Sequence, residues 1–162
     1  MSQVFRVLAA VLATAAVPAA ALAQGVISEQ NISAQLARAI ADAAMSCATT
    51  GGLSVAVVDR SGHIKVLLRS DGSPPHGAEL ARRKAYTART FRRTSLEWAK
   101  RSEGPLAGQR MLADVIPLGG GVPIQVGNDT IGAVGVSGAS GGQEADDACG
   151  KAAIAKVADQ LK

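Results

Sequence analysis

Aromatic residues are scarce: two phenylalanines, one tyrosine and one tryptophan in 162 residues. That excludes a core built on stacked rings. Ala, Val, Ile and Leu must fill the interior, and small residues let helices and sheet approach closely. Histidine is as rare, with only His63 and His76. No His/Cys/Asp/Glu set stands at zinc-like spacing. There is no Gly-Lys-Ser/Thr phosphate loop and no G-x-G-x-x-G at a strand-to-helix junction, so neither nucleotide-binding route is indicated. Ser137 and Ser140 do not sit in G-x-S-x-G, and no acid–base pair accompanies them. Excess charge is modest too, at +4. With so few aromatics, that gives no footprint for nucleic acid. The residue chemistry alone names no reaction.

Residues 1–23 read as a cleaved signal peptide rather than as fold. Arg6 supplies the positive start, Val7 to Val17 the apolar run, and Ala21-Leu22-Ala23 a cleavage signal before Gln24. The run is short and weakly apolar for a membrane span of about 20 residues. No lipidation cysteine follows it. The mature chain is then one domain, 24–162, with a charge of +3 and no stable membrane span. Its location is periplasmic or secreted. Two cysteines, Cys47 and Cys149, remain, and an even count in an oxidising compartment points to one disulfide. The alternative is two buried thiols acting as small apolar groups. Both cysteines fall on inward helix faces: Ile32, Leu36, Ile40, Ala43 and Cys47 in the first helix, Ala145, Cys149, Ala153, Val157 and Leu161 in the last.

The first helix opens at Ser28 and ends at Gly51-Gly52. Leu53 to Val58 is a nearly continuous apolar run, as a central strand covered on both faces requires. Asp59-Arg60-Ser61-Gly62 turns the chain, and His63 to Arg69 is the antiparallel partner. His63 reads as an exposed residue at the turn. Pro74-Pro75 stiffens the next loop and displays His76 just before a helix over Ala78–Arg93. An imidazole held this way can ligate a metal or haem iron, or serve as a polar helix-entry residue. Ala78, Ala81, Ala85 and Ala88 form a face of small residues. Arg82, Arg83, Lys84, Arg89, Arg92 and Arg93 make the helix strongly basic, opposed by Glu79. Those cations suit carboxylates such as haem propionates, or a solvated or intersubunit face. A short helix capped by Thr94-Ser95 follows, then a break at Glu103-Gly104-Pro105 and another short helix or turn over Leu106–Leu112.

Val115 to Ala145 holds two more apolar runs, Val122–Val126 and Thr130–Val136. They are joined by a hairpin turn at Gly127-Asn128-Asp129. Gly119, Gly120 and Gly121 can bring bare backbone close to a ligand. Gly138 to Gly142 reads as a tight turn rather than an anion cradle, because Glu144, Asp146 and Asp147 already fill the start of the last helix, about Gln143–Leu161.

VAVVDRSGHIKVLLRSDG, ARRKAYTARTF and LGGGVPIQVGNDTIGAVGVSGASGGQEADDAC, in that order, resemble the GlcG/HbpS-like haem-binding family. The resemblance covers nearly all of the mature chain. It implies an α/β domain of the α+β type: an antiparallel sheet of about five strands with helices packed on it, profilin-like in its layers. It also implies assembly into homo-oligomers. Its members include haem-binding and haem-degrading extracellular proteins, and a domain attached to cobalamin-related enzymes. The leading expectation is therefore an exported protein that binds a small anionic ligand, haem or another tetrapyrrole. His76 would be its iron ligand, Arg82 and Lys84 would lie near the propionates, and Gly119–Gly121 would give close backbone approach. The rivals are an enzyme of oxidative haem breakdown or of a small polar substrate, and an oligomeric structural or signalling partner.

Overall fold

The computed structural model describes residues 25–48 and 52–162. The expected signal peptide and Gly51 lie outside them. Two antiparallel hairpins make one sheet. β1 (Ser54–Asp59) pairs with β2 (Ile64–Arg69), and β3 (Gly121–Val126) with β4 (Asp129–Ser137). The hairpins join along β1 and β4, also antiparallel, to give the order β2-β1-β4-β3. The sheet thus has four strands among the described residues, against the expected five. β1 is buried along its whole length, as its apolar run requires. β2 is an edge strand, and Ile64 and Leu67 on it are exposed.

The α1 helix (Ala34–Met45) and α4 (Gln143–Ala155) pack on one face of the sheet. There Ile40, Ala41, Ala44, Cys149 and Ala153 meet Val55, Val57, Val134 and Val136. The opposite face carries α2 (Gly77–Phe91), with α3 (Ser95–Arg101) beside it. A 3-10 segment over Gly104–Met111 follows α3. The small-residue face of α2 is what lets it lie so near: Ala85 and Ala88 pack on Val58 and Ala133. Glycine completes the fit, because a Cβ at Gly135 would collide with the Ala81 carbonyl oxygen, and one at Gly121 with that of Lys84.

The α1 helix starts five residues later than its sequence suggests. Its N-cap is Ser33, whose hydroxyl accepts from the Leu36 N–H at 3.1 Å. The preceding segment is held extended. Ile131 is the extra residue of a β-bulge in β4, so its carbonyl is turned out of the ladder and accepts from the Ile32 N–H at 3.2 Å. Asn31 Oδ1 accepts from the Arg60 N–H at 3.0 Å. Ser28 therefore lies outside the helix. The α4 helix ends at Ala155 rather than near Leu161, and Ala158–Gln160 forms a short 3-10 turn.

Cys47 and Cys149 are joined, with Cα atoms 6.2 Å apart. The bridge ties the turn after α1 to the middle of α4 and closes the α1/α4 layer.

Candidate functional site

The loop between β2 and α2 is fastened at several points. Leu53 N–H donates to Ser70 Oγ at 2.7 Å, and Ser70 N–H returns to the Leu53 carbonyl at 2.9 Å. Arg69 Nη2 donates to the Ser73 carbonyl at 2.6 Å. The Ser73 hydroxyl is buried 2.6 Å from that of Ser54 on β1. Gly77 N–H closes the segment on the Pro74 carbonyl at 2.9 Å. His76 stands on this base at the N-cap of α2. Its carbonyl accepts from Leu80 N–H, while its side chain makes no capping hydrogen bond and is exposed. The result is an unengaged imidazole on a rigid mount.

The basic helix resolves into separate partnerships. Arg82 donates from Nε and Nη2 to the two Glu79 oxygens at 2.8 and 2.7 Å, and from Nη2 to Asp114 Oδ1 at 2.7 Å. The hydrogen bond from Arg82 holds the Glu79 carboxyl below its ordinary value, and the same contact raises Arg82. Arg83 Nη2 donates to the Val115 carbonyl. Lys84 turns the other way, into the protein. Its Nζ lies 2.7 Å from Asp146 Oδ2 and 3.1 Å from the Val136 carbonyl, and both side chains are buried. Asp146 Oδ1 accepts from the Ala139 N–H at 2.8 Å. Arg89, near the far end of the helix, is lowered by burial and then by Arg60 and Arg92.

Gly119, Gly120 and Gly121 belong with Lys84. Gly119 N–H donates to Gln143 Oε1 at 2.7 Å and Gly121 N–H to Ser95 Oγ at 2.8 Å. The Gly120 carbonyl accepts from Val136 N–H at 2.9 Å. All three are buried. The residues expected at one site thus fall into two groups. His76 and Arg82 lie on the outer surface of α2, whereas Lys84 and the three glycines form an internal joint between α2, β3 and α4.

His63 is at the opposite end of β2 from the His76 loop, with Nδ1 4.0 Å from Asp59 Oδ1. The two histidines therefore do not converge. Among the described residues, no group of three or more His, Cys, Asp or Glu could hold a metal ion. One cavity of about 270 Å³ lies between the Gln30–Leu36 segment and the C-terminus, and another of about 120 Å³ beside Phe91 and Trp98. Both are smaller than the ~300–1,000 Å³ of most small-molecule pockets, and neither is lined by His76.

Sequence reasoning missed Asp146 as the partner of Lys84, Asp114 as a partner of Arg82, and the Ser54–Ser73 contact. A signal for the first was present. Lys84 is three residues beyond Ala81 and four before Ala88, so it shares the face that meets the sheet. A cation there needs a buried acid. The other two depend on where separate segments meet, which local pattern does not encode.

The family model described as haem degrading protein HbpS-like matches residues 32–155. This chain belongs to the HbpS-like family. The match begins at the residue bonded to the β4 bulge and ends with the last residue of α4. Protein GlcG of Escherichia coli K12 is 35% identical over 108 residues, which are 65% of this chain and 81% of that protein. A double mutant of HbpS from Streptomyces reticuli superposes with a TM-score of 0.78 at 30% identity, covering 89% of this chain and 99% of that one. A PduOC–haem complex superposes with a TM-score of 0.70 at 27% identity, over 77% of this chain and 94% of that one. The four-stranded antiparallel sheet with helices on both faces is thus the HbpS architecture, and haem is named in the family's description and in the PduOC complex.

Proposed function

We propose that this HbpS-like protein is an exported binding protein for haem or a related tetrapyrrole, with His76 as the protein's iron ligand. The observation that carries the reading is the exposed, unbonded His76 imidazole on a loop fixed by Ser54, Arg69, Ser70 and Ser73. A neutral imidazole on a rigid mount loses little freedom when it binds iron. Bound haem would supply an iron centre; His76 would offer it a ring nitrogen and Arg82 a cation for a carboxylate. Arg82 is the candidate for a propionate, which would take the place of Asp114 on its outer nitrogen. Lys84 and Gly119–Gly121 act at one remove, by fixing the α2 backbone against β3 and α4. Export to the periplasm or beyond is supported by residues 1–23 as a signal peptide and by the Cys47–Cys149 bridge. Assembly into homo-oligomers is supported by the exposed apolar residues Ile64 and Leu67 on the edge strand β2.

Titration with haemin tests the ligand. A saturable Soret shift is expected, retained by His63→Ala and lost or strongly weakened in His76→Ala. No Soret shift, or one untouched by His76→Ala, overturns the assignment.

The haem-degrading description of the family favours a second reading, in which the chain acts on the haem it binds. Peroxide-dependent loss of the bound-haem spectrum with release of iron would establish it. A spectrum that persists under peroxide keeps the protein a carrier.

A further inference from the structure

At the other end of α2 from His76, the chain encloses a polar cavity of about 120 Å³, lined by Phe91, Arg93, Trp98, Arg101, Leu106 and Gln109. Its walls are built, not incidental. Arg92 takes a left-handed conformation (φ 53°) and turns the chain sharply off α2. Thr94 then caps α3, its hydroxyl accepting from Glu97 N–H at 3.1 Å. The turn stacks Phe91 on Trp98, with ring centroids 4.6 Å apart and planes 18° apart. Arg110 fastens the 3-10 segment to α3, donating to the Ala99 carbonyl at 2.6 Å and to Ser102 Oγ at 3.0 Å. That brings Leu106 and Gln109 to the cavity's far side.

The polar groups on this lining are donors. Arg93 lines the cavity and donates from Nε to the Phe91 carbonyl at 3.3 Å, and its two terminal nitrogens have no hydrogen-bond partner among the described residues. Arg101 is an exposed guanidinium at the mouth. The one side-chain acceptor, Gln109 Oε1, is engaged by the Trp98 indole N–H at 3.3 Å, so Gln109 presents its amide NH₂. No carboxylate lines the space. Two guanidiniums and an amide donor without an acidic partner call for an anion, and guanidinium forks match a carboxylate in two parallel hydrogen bonds. The aromatic pair adds a flat apolar wall. The volume excludes anything as large as a tetrapyrrole and admits a molecule of about ten heavy atoms or fewer.

We infer that this cavity is a binding site for a small organic carboxylate, one with a short or flat apolar body, separate from the His76 face. The carboxylate would meet Arg93 and Arg101, and its body would lie against the Phe91–Trp98 pair. Trp98 is the chain's single tryptophan. Its indole N–H gives one resonance in a ¹H–¹⁵N spectrum, and that resonance reports from the cavity wall.

The test is an NMR titration of the whole mature protein with benzoate at constant ionic strength, beside benzamide and sodium chloride as probes of the same shape or charge alone. A saturable shift of the indole resonance by benzoate is expected, at least tenfold weaker with benzamide and absent with chloride. The Arg93→Gln/Arg101→Gln variant should bind benzoate at least tenfold more weakly, and Arg101→Gln alone, at the exposed mouth, several-fold more weakly. His76→Ala should bind it normally, which keeps this site independent of the haem reading. No saturable shift, an equal response to benzamide or chloride, or unchanged affinity in a folded Arg101→Gln and double variant would overturn the inference.

Discussion

Lys84 and Asp146 are the most consequential pair of side chains in the chain. Their ions lie 2.7 Å apart with side chains 3% and 6% exposed, so solvent screens them little. Removing one partner strands the other charge in the interior, a loss of about 3–5 kcal/mol. Lys84→Met is therefore expected to unfold at a markedly lower urea midpoint. Adding Asp146→Asn to it should restore part of the loss, because the amide oxygen can still accept from Ala139 while the stranded charge is gone. A double variant no more stable than the single one would show that the two ions do not act as a pair. The Arg82–Glu79 contact is the exposed counterpart. Glu79 is 56% exposed, so the contact is worth at most about 1 kcal/mol. Arg82 lowers the folded-state pKa of Glu79 from 4.5, so the stabilisation is complete above that value and is lost as pH falls through the lower folded value. The difference in Tm between wild type and Glu79→Gln should be small and positive at neutral pH and vanish once the pH has fallen through the lowered folded-state value. A difference that instead grew on acidification would contradict the sign. At this scale the residue types were legible and their partners were not. A run of cations on α2 reads as one charged face until the helix phase is followed through Lys84 and the distant acids are placed.

Among the elements, α2 depends most on what is missing from its neighbours. Its alanine face was visible in the sequence as a three- and four-residue repeat. The complementary fact, that β4 and β3 offer glycines under it, was visible only as an abundance of glycine. The structure connects the two: Gly135 sits under Ala81 and Ala85, and Gly121 under Lys84. A methyl group at Gly135 meets helix backbone, which cannot rotate aside as a side chain would. Gly135→Ala should cost about 3 kcal/mol, at the upper end of overpacking effects. If His76 is the iron ligand as proposed, Gly135→Ala should also weaken haem uptake, because His76 begins the same helix. Gly127→Ala makes a useful contrast: the hairpin turn has open space there, and only its positive φ of 57° opposes a side chain. If Gly135→Ala is no more destabilising than Gly127→Ala, close helix–sheet contact is not what fixes α2. Strands β1 and β4, the hairpin turn and α3 followed from local pattern. The start of α1 did not, because a bulge in β4, ninety-odd residues away, captures the backbone before the helix.

At the scale of the molecule, the sheet is covered twice, and the two layers are secured by different means. The α2 layer is held by glycine contacts and the Lys84–Asp146 ion pair. The α1/α4 layer relies on small aliphatic side chains and the Cys47–Cys149 bridge. The parity of the cysteines in an expected oxidising compartment was enough to expect the bridge; helical phase placed Cys149 inward on α4, whereas Cys47 lies in the turn just past the end of α1 rather than on a longer helix. The bridge spans 102 residues of sequence, so it restricts most of the unfolded chain. Loop-closure entropy assigns such a cross-link about 4–5 kcal/mol, and native disulfides in small domains return about 2–5 kcal/mol when removed. Cys47→Ser/Cys149→Ser should therefore shift the urea midpoint downward by that amount of stability. It should also raise the slope of the transition, since an uncrosslinked unfolded chain exposes more surface. Far-UV circular dichroism should show the sheet and helices intact before the transition, because the apolar contacts of Ile40, Ala44 and Ala153 with Val55, Val134 and Val136 do not involve sulfur. An unchanged midpoint and slope would mean that the two layers hold the fold without the bridge, and would remove one support for placing this protein in an oxidising compartment.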